Sequence, residues 1–166
     1  LIGKRKFDVK AILATSKKNY YEVKKITKKK IFTTDKKVLS NNSFDLAIIA
    51  VPVYKTYQIT LDIMKFVKNL LIEKPPSLNL KDANTLFKKS KLNKNNLFVA
   101  LNRSYFESTI EAVKKIQRNK SKKIVEVTDQ ENVYKAKKAG HKKIVLQKWM
   151  YANSIHMIDY FRIFCR

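Results

Sequence analysis

The apolar residues of this chain fall into short unbroken runs separated by stretches of helical period. LAIIAV over 46–51 and LLI over 70–72 contain no polar residue. A strand with one wetted face alternates apolar and polar positions, so an unbroken run predicts a strand of a parallel sheet covered on both faces. The stretch 44–76 therefore reads as a strand over 45–51, a stop at Pro52, a helix over 54–67 and a strand over 69–72, closed by Glu73-Lys74-Pro75-Pro76. That is one βαβ unit with both strands interior. Its crossover sets Pro52 and Glu73-Lys74-Pro75 side by side at the carboxyl ends of neighbouring strands, where open α/β sheets bind ligands.

The same rules extend along the chain. Residues 7–14 (FDVKAILA) read as a strand, Ser16 caps a helix to about 26, 30–32 is a short strand, and 33–44 is a polar connection with room for a helical turn. After Pro76, Asn79 caps a helix to about 90 with Leu80, Ala83, Leu86 and Phe87 on its buried stripe. A loop (KLNKNN) and a buried strand over 97–101 follow, ending in Asn102-Arg103. The helix over 104–118 carries Tyr105, Ile110, Val113 and Ile116 at core spacing, and the polar tract QRNKSKK over 117–123 marks a boundary. Beyond it KIVEVT (123–128) alternates like a half-covered antiparallel strand, 129–143 is a charged connection around Gly140-His141, and NSIHMIDYFRIF is a helix. On that helix His156, Asp159 and Tyr160 share a face. A histidine one turn from an aspartate is either a surface pair or an imidazole held in one tautomer.

Composition narrows the class. Hydrophobic residues make up 45 % of 166, enough for one core and part of another domain, and no apolar run approaches the roughly eighteen residues that cross a bilayer. The one cysteine, Cys165, has no partner for a disulfide, no Cys/His cluster has metal spacing, and a reducing cytoplasm fits. The net charge of +24 invites a nucleic-acid reading, but the arginines are only Arg5, Arg103, Arg118, Arg162 and Arg166. Base and phosphate recognition favours arginine forks, and these lysines are scattered over every surface helix. A basic solvated surface is the better reading, with salt-sensitive polyanion binding as its corollary.

AVP at 50–52 followed by EKP at 73–75, joined without insertion, resembles the glucose-fructose oxidoreductase / inositol dehydrogenase (Gfo/Idh/MocA) family of NAD(P)-dependent enzymes. NSIHMID (153–159) resembles that family's H-x-x-D helix. The resemblance implies a Rossmann-type α/β domain over 1–119 and, from 120, the start of an α+β domain for substrate binding and oligomerisation. It covers most of the chain, which begins at Leu1 rather than Met, ends at Arg166 within a helix, and so reads as a fragment inactive by itself. The glycine-rich turn is expected upstream, since Gly3 stands alone and cannot cradle a pyrophosphate.

Roles follow from the resemblance. Lys74 would be the catalytic lysine, with His156 as acid/base or relay partner and Asp159 supplying a carboxylate. Ala50, Val51, Pro52 and Thr56 would line the cofactor, with Glu73, Lys74 and Asn102 on its ribose and nicotinamide side. At the second Rossmann strand the end reads Ala14-Thr15-Ser16-Lys17-Lys18, with no carboxylate for a ribose 2′-hydroxyl. Thr15 and Ser16 with the lysines suit a 2′-phosphate, favouring NADP over NAD, or they simply cap a helix. The expected substrate is a sugar, cyclitol or nucleotide-sugar, with no specific nucleic acid, no membrane and a homo-oligomer at full length. Three departures from the pattern stand out: Thr56 where the family usually has histidine, Val67 for its glycine, and Ala152 for a carboxylate four residues before the histidine. They leave open a non-catalytic dinucleotide- or sugar-binding relative and, behind it, a basic nucleic-acid-binding protein.

Overall fold

The structure, a computed structural model, describes residues 8–14, 21, 31–33, 37–41, 43–118 and 121–165. Of the helix expected from Ser16 to about 26 only Tyr21 is described, and it is helical; Thr15 and Ser16 lie outside the described residues. Two parallel sheets form. β1 (Ala11–Leu13) pairs with β2 (Ile31–Thr33), and after a short helix α1 (Lys37–Ser40) the strands β3 (Leu46–Ile49), β4 (Asn69–Ile72) and β5 (Asn96–Val99) lie in the order β3-β4-β5. Among the described residues the two sheets share no ladder.

The crossovers are α2 (Val53–Ile63), joining β3 to β4, and α3 (Leu80–Leu92), joining β4 to β5. Pro52 stands at the cap of α2, where its missing N–H costs nothing, and its carbonyl accepts from Lys55 N at 2.7 Å. Asn79 caps α3 as expected: its Oδ1 accepts from Asp82 N at 2.8 Å while its Nδ2 donates to the Asp82 carboxylate at 2.7 Å. The core is the face of β3-β4-β5 turned to these helices, where Ile49, Leu70 and Ile72 pack with Met64 and Leu86.

Burial is one-sided, which corrects the expectation of strands covered on both faces. Ile48, Leu71 and Phe98 stand in register across the three strands on the side away from α2 and α3, and Ile48 and Phe98 are 65 % and 58 % exposed. Leu71 between them is half-buried. The predicted stripe of α3 is also shifted: Leu86 and Ser90 are buried and Ala83 half-buried, but Leu80 and Phe87 are exposed. The buried line runs between the two apolar rows that the sequence offers.

After β5 a 3-10 turn (Asn102–Tyr105) leads into α4 (Glu107–Arg118), three residues later than the periodicity predicts. Tyr105 and Ile110, expected in a core, are exposed, and the buried residue of α4 is Thr109. The strand expected over 123–128 does not form. Val125 and Val127 are half-buried and Ile124 and Glu126 exposed, so the alternation is present without a neighbour to bond to, and a lone strand is not stable. Three short helices complete the chain: α5 (Val133–Lys138), α6 (Lys143–Leu146) and α7 (Ile155–Phe164), the last preceded by a π-helical turn (Met150–Ser154). The α6 region lies against α2, with Lys142 Nζ 4.1 Å from the centre of the Tyr54 ring.

Candidate active site

Parallel pairing carries the tips of β3, β4 and β5 to one edge. The ladder continues past the strands: Glu73 N donates to Ile49 O at 2.9 Å and Ala100 N to Ile72 O at 2.8 Å. Ala50, Pro52, Glu73 and Asn102 are therefore exposed at neighbouring strand ends, with Val51 half-buried among them. Thr56 is not there. It is 1 % exposed inside the packing of α2, its carbonyl taken by the Thr60 hydroxyl at 2.7 Å, and it offers no surface to a cofactor.

Lys74 is half-buried at the tip of β4, and the Lys74–Pro75 peptide is cis. Its backbone N–H donates to Glu73 Oε2 at 2.9 Å, and its Nζ donates to the carbonyl of Ala152 at 3.1 Å, spanning 78 residues of sequence. Burial lowers the lysine's pKa from its usual value, helped by the Arg103 guanidinium and opposed by Glu73 and Glu131. Its ammonium is thus easier to deprotonate than that of a surface lysine.

His156 lies one turn beyond Ala152, 9 % exposed, and its Nδ1 has no hydrogen-bond partner among the described residues. Burial lowers its pKa first, and the cations Lys74 and Arg103 lower it further against Glu73 and Asp159. A buried ring nitrogen without a partner is costly unless something else bonds it, so it is the natural place for a ligand hydroxyl or carbonyl. Asp159 is buried as well, but Arg162 grips both of its oxygens, at 2.5 and 2.9 Å. The idea that Asp159 makes up the missing carboxylate of a lysine relay does not fit this geometry: the carboxylate belongs to Arg162 and acts on His156 only through its charge.

Two residues of the cluster are not singled out by sequence reasoning. Arg103 follows Asn102 in the Asn-Arg strand end, and its Nη1 donates to the sulfur of Met157 at 2.8 Å, tying the turn after β5 to α7. Glu131 comes from the irregular segment before α5, and nothing in its neighbourhood in sequence marks it. Among the described residues no group of three or more His, Cys, Asp or Glu could hold a metal ion.

The profile of the oxidoreductase family with an NAD-binding Rossmann fold (GFO_IDH_MocA) matches residues 2–101. This chain belongs to that family. Solved structures agree on the fold: myo-inositol 2-dehydrogenase from Lactobacillus plantarum aligns with a TM-score of 0.62 at 20 % identity, covering 71 % of this chain and 36 % of that one. A dehydrogenase from Chromobacterium violaceum gives 0.59 at 18 %, covering 68 % and 33 %. GenD2 from gentamicin A biosynthesis, solved in complex with NAD, gives 0.59 at 17 %, covering 66 % and 31 %. The chain thus spans about a third of the length of these structures. No curated protein matches it. Open α/β sheets generally bind ligands at the carboxyl ends of their strands, the edge at which the tips of β3-β4-β5 are exposed.

Proposed function

We propose that this chain carries the nicotinamide-side and substrate-side groups of an NAD(P)-dependent oxidoreductase acting on a CH–OH group of a sugar, cyclitol or nucleotide-sugar. The observation that carries the reading is the meeting of Lys74 with the π-helical turn before α7: Nζ bonds the carbonyl of Ala152, while the Nδ1 without a partner among the described residues belongs to His156, one turn on. The residues fit the dinucleotide where the strand tips are exposed, with Ala50, Val51, Pro52 and Glu73 as its supports and Asn102 beside them. Nicotinamide, when bound, supplies the acceptor or donor of the hydride. The chain's own task is the proton. As an alcohol becomes a carbonyl its hydroxyl proton must leave, and a partly desolvated lysine with a lowered pKa can take it while His156 holds the same oxygen by a hydrogen bond. In the reverse direction Lys74 returns the proton.

In this reading residues 1–119 bind the dinucleotide and 120–166 open the substrate domain, through whose continuation the full-length protein forms a homo-oligomer. Thr15 and Ser16 favour NADP over NAD, and the single cysteine suits a cytoplasmic protein. Among the described residues no helix is long and apolar enough to cross a membrane. A non-catalytic relative is the second reading, favoured by Ala152, which meets Lys74 with a backbone carbonyl where the family often has a carboxylate side chain. Turnover of a sugar or cyclitol panel by full-length protein separates the two. Lys74→Ala should lower kcat by about two to four orders of magnitude, the usual range for general acid–base catalysis. Wild-type turnover in that variant removes Lys74 from the reaction.

A further inference from the structure

The π-helical turn before α7 is held from outside by one carboxylate. Glu131 Oε2 accepts from the indole Nε1 of Trp149 at 2.8 Å, and Glu131 Oε1 accepts from Asn153 Nδ2 at 2.5 Å. Trp149 and Asn153 flank Ala152, whose carbonyl receives Lys74 Nζ. One carboxylate therefore grips both sides of the turn that presents the lysine's acceptor. Its charge also reaches Lys74 and favours the ammonium, alongside Glu73 and against Arg103, while the neighbouring imidazole of His156 feels the same lysine. Where Ala152 has no side chain to offer the lysine, the 122–132 segment brings a carboxylate to the other side of the same backbone turn.

We propose that Glu131 is a positioning residue for Lys74: it fixes the turn whose Ala152 carbonyl orients the ammonium and sets a negative charge beside that turn. The proposal rests on the reading of Lys74 as the proton-carrying group only for its effect on turnover. The link from Glu131 to Lys74 is measurable without any reaction.

Two variants of the full-length protein separate charge from grip. Glu131→Gln keeps an oxygen for the indole and lets Asn153 reverse its amide to meet the new donor, so the bonds survive without the charge. Glu131→Ala loses both. The readouts are the pH dependence of Lys74 acylation by acetic anhydride, followed by peptide mass spectrometry, and the indole N–H resonance of Trp149, assigned by its disappearance in Trp149→Phe. Both variants should move the labelling midpoint of Lys74 to lower pH, making acylation about threefold faster below it, the size expected for loss of one nearby, partly screened charge. The indole resonance should stay near its wild-type position in Glu131→Gln and move upfield in Glu131→Ala, and any limb of the kcat–pH profile that reports Lys74 should follow the labelling midpoint. A wild-type midpoint in both variants overturns the proposal. If the midpoint moves but Lys74→Ala leaves turnover intact, the positioning link stands and the catalytic reading of Lys74 falls.

Discussion

His156 holds its proton less tightly than a free imidazole because burial and two cations oppose the charged form. Its depressed pKa has a sign that can be checked in stability. Above the ordinary value of 6.5 the ring is neutral in both the folded and the unfolded chain, and its titration costs nothing. As pH falls through that value the unfolded chain takes up the proton first, so stability drops until the folded pKa is passed. His156→Asn should flatten this part of the curve, read as urea midpoints from pH 8 down to pH 5. For Lys74 the lowered pKa means that the folded state disfavours the ammonium at neutral pH. Lys74→Met should leave the midpoint unchanged or raised while turnover is lost, a pairing expected of a group kept for chemistry rather than for folding. Arg162 has the opposite character: Arg162→Ala strands a buried Asp159 carboxylate and should cost about 1–3 kcal/mol. Lys74 and His156 are singled out in the sequence by the resemblance of EKP and H-x-x-D to the family's patterns, while strand ends and helix spacing give only their places. Glu131 could not be named, since its place depends on the path of a loop with no periodic signal, and neither could the pairing of Asp159 with Arg162 rather than with His156, because both partners lie on the same face at helical spacing.

At the scale of elements, what the residues determine locally is what could be read. β4 has the bounds that the sequence predicts, because an apolar run between Lys68-Asn69 and Glu73-Lys74-Pro75 leaves no other register. Leu70 in that strand is fully buried between α2, α3 and its neighbours. Leu70→Ala should lower the free energy of unfolding by about 2–5 kcal/mol without altering the denaturant slope. Where an element needs a distant partner, periodicity fails. The alternation of 123–128 is that of a strand, and the residues even alternate in exposure, but strand pairing is a property of two segments and only one is on hand. Likewise Phe98 and Ile48 have the composition of a doubly covered sheet while one side of it stands open. An apolar run reports what a strand is suited to, and the cover must come from elsewhere.

At the scale of the whole chain, the charge of +24 comes mainly from lysines scattered along the sequence, and the candidate site itself mixes Lys74 and Arg103 with Glu73 and Glu131. A solvated basic surface should bind duplex DNA only through released counterions. Log affinity should then fall linearly with log salt and nearly vanish at physiological ionic strength, as measured by fluorescence anisotropy. Retention above that strength would mark a recognition surface instead.

Among the described residues the strands fall into two hydrogen-bonded groups of different size, β1-β2 and β3-β4-β5. A parallel pair of three-residue strands is marginal by itself, whereas β3-β4-β5 is locked under two helices. Amide deuterium uptake in this chain should therefore be biphasic, with β1 and β2 exchanging orders of magnitude ahead of β4, through an opening that leaves the rest folded. A segment that bonded to an edge strand of each sheet would fuse the two phases into one, and that merging is a direct assay for such a link.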